Sequence, residues 1–279
     1  MAVNPDVGTV EALLARAGAA AAAAGRFLVE ERPADLTVES KSTATDAVTQ
    51  MDRGSEELLV RLLRGEGPDD GILGEEGGER PGSSGVRWVV DPLDGTVNYL
   101  YGIPEWSVSV AAEWRGEVVA GVVYAPLLGL VWSATLGGGA RLTETPWQGG
   151  RSRPRPRVGT ESRLSHAMIG TGFGYDPRRR HTQAEALVKI LPRVRDVRRA
   201  GCASIDLARV ADGTYDGYYE IGLHPWDFAA AALVVTEAGG LVGGLPHEDI
   251  GERMAIAANP MLFGQLQQLV AEGMSAATE

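Results

Sequence analysis

The residues best suited to chemistry stand in one short stretch, Trp88-Val89-Val90-Asp91-Pro92-Leu93-Asp94-Gly95-Thr96. Its apolar start predicts a buried strand, which we expect to end at Asp91 because Pro92 fixes its own φ and lacks an N–H. A short helix can begin at Thr96, and the free N–H groups at its N-terminus would attract an anion. Asp91 and Asp94 on one tight turn repel each other unless a cation lies between them. The stretch therefore suggests Mg²⁺ beside a phosphate, with an ordinary solvated acidic turn as the alternative.

Three acidic residues upstream of this turn are further candidates. Asp52 lies in a helix predicted over residues 46–64, near the edge of its apolar side. The pattern there slightly favours a solvated carboxylate over one held toward a site. Glu75 and Glu76 follow a short predicted strand and would point to opposite sides of an extended chain. One of the two could therefore face the acidic turn while the other meets solvent.

A second pair of acids comes from the C-terminal part of the chain. A helix predicted over residues 225–238 carries Asp227 in its first turn, where an acid ordinarily complements the helix dipole. Glu220 ends the preceding predicted strand, and Gly222 allows a tight turn between the strand and the helix. Together, Asp227 and Glu220 could reach the site around Asp91.

The surrounding elements divide the chain into two predicted halves. In residues 1–150, two helices precede three antiparallel strands, the first two joined by a turn at Arg115-Gly116, and residues 77–85 form an exposed loop. In residues 151–279, strands and helices alternate, which is typical of an α/β arrangement. The segment 145–157, rich in Gly, Pro and Arg, is the predicted boundary. The acidic turn thus belongs to an N-terminal α+β half, and the C-terminal α/β half completes the site.

Composition limits the possible partners. The 279 residues are 44% hydrophobic and carry a net charge of −11, which argues against binding nucleic acid or an anionic membrane. The Arg- and Pro-rich run 151–157 is a local exception, better explained as a solvated loop. The single cysteine, Cys202, excludes an intrachain disulfide and favours a reducing compartment. No secretory signal pattern is visible, and the alanine run 19–24 is too short and weakly apolar to span a membrane. We therefore expect a cytoplasmic protein.

Three motifs, in their order along the chain, resemble the inositol monophosphatase family of lithium-sensitive, Mg²⁺-dependent phosphatases, whose superfamily includes fructose-1,6-bisphosphatases. They are Gly74-Glu75-Glu76, the stretch from Trp88 to Thr96, and Trp226-Asp227 followed by Glu237-Ala238-Gly239-Gly240. Three ordered motifs are far more specific than any one alone. The resemblance covers residues 41 to about 244. It implies an alternating αβαβα layered sandwich, an α+β or α/β fold, and a homodimer.

The resemblance also implies a set of metal ligands. The first Mg²⁺ would be held by Glu75, Asp91 and the Leu93 carbonyl, and the second by Asp91, Asp94 and Asp227. Glu75 would support a third, weaker ion. Hard carboxylate oxygens suit Mg²⁺ better than Zn²⁺. Two such ions can serve both the attacking and the leaving oxygen of an in-line displacement.

Further roles in catalysis and substrate binding follow from the same resemblance. Asp52 and Thr96 would orient the attacking water, with Glu75 as a third catalytic residue. The residues implied to contact substrate are Asp94, Gly95, Thr96, Ala203 and Glu220. Lys41 is a weaker match near the catalytic loop. Tyr175 stands near a position where some members use a serine, which leaves the substrate preference open, and Cys202 is interpreted as part of the pocket wall.

The predicted function is hydrolysis of an inositol monophosphate, of the inositol-1-phosphate type, to inositol and phosphate by a metal-activated water. The segments 97–99 and 219–222 resemble inositol-specific members. Fructose-1,6-bisphosphate, histidinol phosphate and 3′-phosphoadenosine nucleotides are alternative substrates. A regulatory binding protein of the same fold is an alternative of another functional class. A protein that only binds a partner would not need the full set of acids assigned to the metal and water sites.

Overall fold

The computed structural model describes residues 7–40, 47–144 and 155–276 of the protein. Lys41 and most of the predicted boundary segment 145–157 lie outside these ranges. The helices are α1 (Val7–Glu30), α2 (Gln50–Glu66), α3 (Thr96–Tyr101), α4 (Pro177–Ile190), α5 (Ala203–Ala211), α6 (Pro225–Glu237) and α7 (Phe263–Ala276). The strands are β1 (Val38–Ser40), β2 (Ala47–Thr49), β3 (Gly71–Gly74), β4 (Gly78–Arg80), β5 (Val86–Asp94), β6 (Ser107–Trp114), β7 (Glu117–Ala125), β8 (Leu130–Thr135), β9 (Gly139–Glu144), β10 (Met168–Thr171), β11 (Asp196–Arg198), β12 (Gly217–Glu220), β13 (Leu241–Gly243) and β14 (Ala255–Ala258).

Two large sheets alternate with three layers of helices. One sheet has the strand order β4-β3-β5-β6-β7-β8-β9, and the other has the order β11-β10-β12-β14-β13. Helices α1 and α2 cover the outer face of the first sheet, α5 and α6 lie between the sheets, and α4 and α7 cover the outer face of the second. This αβαβα sandwich confirms the predicted fold class.

The alanine-rich helix α1 is a packing element of the first outer layer. Ala17, Ala21 and Ala24 are fully buried, which permits close contact with the sheet. A Cβ at Gly25 would lie 2.5 Å from the Tyr124 ring, so a larger residue there would have to displace this ring. By length and composition, residues 8–30 could cross a membrane, unlike the shorter alanine run taken by itself. Their buried residues nevertheless form the face of a core helix.

Strand β5 continues beyond the predicted end at Asp91, so that prediction is wrong. Asp91 pairs with Ser109 and Asp94 pairs with Ser107, which leaves one extra residue on β5 between the two pairs. Pro92 lies in this bulge, where no ladder N–H is required. Because one extra residue reverses the alternation of faces, Asp94 regains the side of the sheet to which Asp91 points. The bulge thereby aims both carboxylates at one cavity.

Helix α2 begins at Gln50, later than the predicted start near residue 46. Thr49 is the N-cap: its hydroxyl accepts from the Met51 N–H at 3.0 Å, and Asp52 Oδ2 accepts from the Thr49 N–H at 2.8 Å. This reciprocal capping box fixes the start of the helix. The cap also turns Asp52 inward, into the protein.

Two edge strands escaped the sequence analysis, while the central hairpin was predicted. Strand β4 lies in the predicted exposed loop 77–85, and all three of its residues are exposed, so no apolar alternation marks it. Strand β9 begins at the third of three consecutive glycines, Gly139. Between β6 and β7, Arg115 and Gly116 both have positive φ, 53° and 90°, which confirms the two-residue turn.

The two sheets belong to different parts of the chain but share a core. Strands β3 to β9 precede residue 145 and strands β10 to β14 follow residue 154. The apolar cluster between the sheets nevertheless joins residues of both with α5 and α6. A division into halves at about residue 150 therefore stays a prediction.

Asp70 is a buried acid that ties α1 to β5. Its Oδ2 accepts from Arg16 Nη2 at 2.9 Å and from Trp88 Nε1 at 3.0 Å, and its Oδ1 accepts from Ser84 Oγ at 2.7 Å. Trp88 is itself fully buried three residues before Asp91. These contacts anchor the strand that carries the acidic turn.

We predict that Asp70→Ala lowers the free energy of unfolding by about 2–4 kcal/mol, because it leaves the buried Trp88 donor without its acceptor and removes the 2.9 Å ion pair of Arg16. Asp69→Ala is the matched control, since Asp69 is exposed, and it should change stability by less than about 0.5 kcal/mol. Urea unfolding followed by circular dichroism measures both. Equal effects of the two substitutions would contradict the anchoring role.

Candidate active site

A cavity of about 420 Å³ opens where the ends of β5 and β12 meet the first turns of α5 and α6. Most of the site residues implied by the family resemblance line it. They are Glu75, Asp91, Leu93, Asp94, Gly95, Thr96, Ala203, Glu220 and Asp227. Asp52 lies behind this wall, where its Oδ1 accepts from the Thr96 hydroxyl at 2.8 Å.

Asp91 and Asp227 each use one oxygen to fix the side chain to the backbone. Asp91 Oδ1 accepts from the Leu93 N–H at 3.0 Å, and Asp227 Oδ2 accepts from the His224 N–H at 2.7 Å. The other oxygen of each carboxylate has no hydrogen-bond partner among the described residues. Both acids are thus oriented and still have an oxygen free for a ligand.

The carboxylates of this wall raise one another's pKa. Burial raises the pKa of Asp91 well above its usual range, and the charges of Glu75, Asp94 and Asp227 raise it further. Burial also raises the pKa of Asp227, with additional contributions from Asp94 and Glu75. A site with this much uncompensated negative charge is suited to a cation.

The donor set fits Mg²⁺ in chemical type. It consists of carboxylates and the Leu93 carbonyl, all hard oxygen ligands, with no thiolate or imidazole required. As they stand, no three His, Cys, Asp or Glu side chains in the described ranges converge closely enough to enclose an ion.

Asp94 is held from the other half of the chain. The Ser204 N–H in the first turn of α5 donates to Asp94 Oδ2 at 2.7 Å. Burial raises the pKa of Asp94, while hydrogen bonds from Ser204 and Cys202 oppose that rise. Burial also raises the pKa of the Cys202 thiol well above its usual range, so a nucleophilic thiolate is disfavoured.

Helix α2 supports the side of the site formed by Thr96. Asp52 is fully buried, so the solvated interpretation of this residue is wrong. Its Oδ2 accepts from the Thr49 N–H at 2.8 Å and from the Thr49 hydroxyl at 2.6 Å. The phase of the helix, set by the cap at Thr49, brings Asp52 to Thr96, a contact across 44 residues that the local pattern does not reveal.

The same face of α2 carries two further site residues that the sequence analysis missed. Ser55 Oγ donates to the Pro92 carbonyl at 2.8 Å. Glu56 is buried and accepts from the N–H groups of Glu76 and Gly77 at 2.8 and 2.7 Å, which fixes the turn that begins with Glu75. Their signal was the helical spacing i, i+3 and i+4 from Asp52.

The opposite wall contains the end of β12 and two arginines. Burial raises the pKa of Glu220 to about 7, and its Oε2 accepts from the Tyr218 hydroxyl. Arg179 and Arg199 also line the cavity, and the sequence analysis did not single them out. His224, which also lines the cavity, stacks on Trp226 with ring centroids 4.9 Å apart.

The profile of the inositol monophosphatase family matches residues 10–278. This chain belongs to that family. It is 47% identical over 213 residues to the inositol-1-monophosphatase SuhB of Mycobacterium tuberculosis, a match that covers 75% of this chain and 72% of the relative. It is 39% identical over 261 residues to the Nus factor SuhB of Pseudomonas aeruginosa, covering 88% and 91%. The solved structure of the extragenic suppressor protein suhB of Bartonella henselae has a TM-score of 0.84 at 36% identity, covering 94% of this chain and 99% of that one.

The family membership and the geometry concern the same residues. Apart from the weaker match Lys41, the resemblance assigns ten residues to the site; nine of them line one cavity, and Asp52 contacts it through Thr96. Lys41 lies outside the described residues. The individual roles of these residues remain proposals.

The raised pKa values predict how stability depends on pH in EDTA. The pKa of Asp91 and of Asp227 is higher in the folded than in the unfolded protein. At pH values between the unfolded and the folded pKa, the folded state therefore binds more protons. The stabilisation is complete below the ordinary value near 3.8 and is lost as pH rises through the folded pKa. Thermal unfolding in EDTA should therefore show Tm falling as pH is raised above about 4.

Asp91→Asn removes one of the crowded charges and keeps an oxygen for the Leu93 N–H. At pH 8 in EDTA we expect its Tm to exceed that of the wild type by about 3–8 °C, since each unit of pKa shift corresponds to about 1.4 kcal/mol. Glu57→Gln is the control, because Glu57 is exposed and the change in charge is the same. An unchanged or lowered Tm for Asp91→Asn would contradict the proposed repulsion between Asp91 and the neighbouring carboxylates.

Proposed function

We propose that this protein is a Mg²⁺-dependent phosphatase that hydrolyses an inositol monophosphate of the inositol-1-phosphate type to inositol and phosphate. The observation that carries the proposal is the wall of oriented carboxylates, Glu75, Asp91, Asp94 and Asp227, beside the Thr96–Asp52 hydrogen bond. Membership of the inositol monophosphatase family supports phosphatase chemistry. The choice of inositol rests on the resemblance of the segments 97–99 and 219–222.

The residues that would hold two to three Mg²⁺ ions are Glu75, Asp91, Asp94, Asp227 and the Leu93 carbonyl. When bound, the ions would neutralise charge on the phosphoryl oxygens and lower the pKa of a coordinated water. The protein contributes ligand orientation. Backbone N–H groups fix Asp91 and Asp227, and Glu56 fixes the turn at Glu75.

Thr96 and Asp52 would position the attacking water. The Thr96 hydroxyl lies 2.8 Å from Asp52 Oδ1 and 3.1 Å from the Leu93 carbonyl, and its single proton is donated between these two acceptors. The lone pairs of Thr96 Oγ1 are therefore left to accept a hydrogen bond from water. Since Thr49 holds the other oxygen of Asp52, the direction of this acceptor is fixed.

The substrate would lie between the acidic wall and β12. Gly95 has φ 92°, and a side chain there would approach the Glu105 carbonyl to 3.0 Å and Cys202 to 3.3 Å. The backbone conformation and these contacts therefore require glycine at position 95, and the N–H groups of Gly95 and Thr96 would bind the phosphate. Glu220 would contact the sugar hydroxyls, since its Oε1 has no hydrogen-bond partner among the described residues. Ala203 would also contact them, on the basis of the family resemblance.

A second substrate class is favoured by the two arginines of the opposite wall. Neither Arg179 nor Arg199 forms an ion pair with an acid within the ranges that the structure describes. Both could bind a second anionic group, as in fructose-1,6-bisphosphate or a 3′-phosphoadenosine nucleotide. Histidinol phosphate is a further alternative, without a specific observation in its favour.

A cytoplasmic homodimer is the proposed setting, on the basis of the family resemblance and the single cysteine. We propose no nucleic-acid or membrane partner, because the net charge is −11. Some relatives carry the name Nus factor SuhB. The alternative to an enzymatic function is therefore a role as a regulatory binding protein. A pull-down with RNA polymerase tests this alternative.

A phosphate-release panel tests the proposed function. The wild type should hydrolyse inositol 1-phosphate faster than glycerol phosphate, histidinol phosphate, fructose 1,6-bisphosphate and 3′-phosphoadenosine 5′-phosphate, and only with Mg²⁺ present. Asp91→Asn should abolish turnover, and Glu57→Gln should not. Full activity in excess EDTA would refute the metal mechanism, and preference for a bisphosphate would select the second substrate class.

The Thr96–Asp52 pair predicts a defined kinetic pattern. Asp52→Asn and Thr96→Ala should each lower kcat by about 10²–10⁴-fold while sparing most substrate affinity, because both act on the attacking water. The double variant should lose little more than either single variant, since the two residues act as one unit. Steady-state kinetics at saturating Mg²⁺ measures this. If the losses in kcat of the two single variants multiply in the double variant, or if only Mg²⁺ affinity is lost, the two residues do not act on one shared water.

A further inference from the structure

Asp94 differs from the other acids of the cavity wall in how many donors it accepts. Its Oδ2 accepts from the Ser204 hydroxyl at 2.6 Å, the Ser204 N–H at 2.7 Å and the Cys202 thiol at 3.1 Å. Its Oδ1 accepts only from the Ala203 N–H, at the longer distance of 3.3 Å. One oxygen is thus saturated, while the other retains room for a further ligand.

A second serine determines where the protons of this network point. Ser107 Oγ lies 2.6 Å from Ser204 Oγ, and both side chains are fully buried. The only hydroxyl proton of Ser204 is donated to Asp94, so Ser107 must donate to Ser204 rather than accept from it. The order Ser107 to Ser204 to Asp94 follows from counting protons.

This network joins the first sheet to helix α5 at the acidic turn. Ser107 is the first residue of β6 and pairs with Asp94 at the end of β5, whereas Ser204 lies in the first turn of α5, 110 residues further on. The N-cap Cys202 provides no side-chain acceptor to α5, and Asp94 accepts from its first N–H groups instead. The carboxylate therefore cannot rotate without leaving the helix end and a buried hydroxyl unpaired.

We propose that Ser204, oriented by Ser107, is a positioning residue that holds Asp94 Oδ2 and commits Oδ1 to the cation of the site. The inference rests on the proposed metal-dependent function. Groups that orient a metal ligand from behind typically contribute about 10- to 100-fold to metal affinity. Ser204 thus sets the affinity for the ion that Asp94 holds, without touching the substrate.

The test is calorimetric titration of Mg²⁺ into EDTA-stripped, dialysed protein, together with the Mg²⁺ dependence of phosphate release. Ser204→Ala should weaken Mg²⁺ binding about ten-fold, and kcat at saturating Mg²⁺ should stay within about three-fold of the wild type. Ser204→Thr, which keeps a hydroxyl, should restore most of the affinity. Ser133→Ala, a half-buried serine of β8 outside the cavity lining, is the matched control and should bind as the wild type does.

Ser107→Ala provides a second, independent variant. It should weaken binding less than Ser204→Ala, and adding it to Ser204→Ala should change the Kd by less than about two-fold, because Ser107 acts through Ser204. Unchanged Mg²⁺ affinity in both Ser204→Ala and Ser107→Ala would overturn the positioning role, as would an equal loss in Ser133→Ala. A wild type that binds no divalent cation would refute the proposed function itself, which is a distinguishable result.

Discussion

Mutual repulsion among four carboxylates is the constraint on which the rest of this structure depends. Glu75, Asp91, Asp94 and Asp227 share one cavity wall, and burial together with their neighbours' charges raises the pKa of Asp91 and Asp227. A flexible chain would separate such groups. Here Asp91 and Asp94 are fixed on strand β5, Glu75 on the turn after β3 and Asp227 on α6, and each of the three aspartates is tied to at least one backbone N–H. The layers of the sandwich therefore hold together charges that would otherwise move apart.

The two oxygens of each of these three aspartate carboxylates have different roles, and this difference keeps the acids in place. In Asp91 and Asp227 one oxygen is bound to the backbone and the other is left toward the cavity, and Asp94 extends the same arrangement with side-chain donors. Helix α2 acts one layer further out, since Ser55 contacts the carbonyl of Pro92 and Glu56 closes the turn at Glu75. The orientation of Asp91, Asp94 and Asp227 is thus fixed by hydrogen bonds to one oxygen of each carboxylate. The other oxygen remains available for a ligand. Rigid support of this kind is what precise ligand geometry requires.

The sequence allowed the acidic turn and Asp227 to be predicted because their signals are local. Residue type, a strand pattern and a helix start lie within a few positions of each acid. No local pattern marked Asp52 or Glu56, because an acid on an amphipathic helix is ordinarily solvated and their partners are 20 to 44 residues away. Asp52 was assigned to the site only through the family resemblance. The end of β5 was misjudged for a related reason. Pro92 ends a regular strand, but whether a bulge can accommodate it depends on the neighbouring strand β6, which only the folded sheet reveals.

Charge balance links this arrangement to the proposed reaction. A chain with a net charge of −11 has to attract an anionic phosphate to a wall that already carries four carboxylates. Two divalent cations would cancel those four charges, and the N–H groups of Gly95 and Thr96 together with Arg179 and Arg199 would then make the cavity attractive to an anion. Without the cations, the same wall would repel a phosphate substrate. Under the proposed function, the crowding of carboxylates therefore makes phosphate binding conditional on prior cation binding.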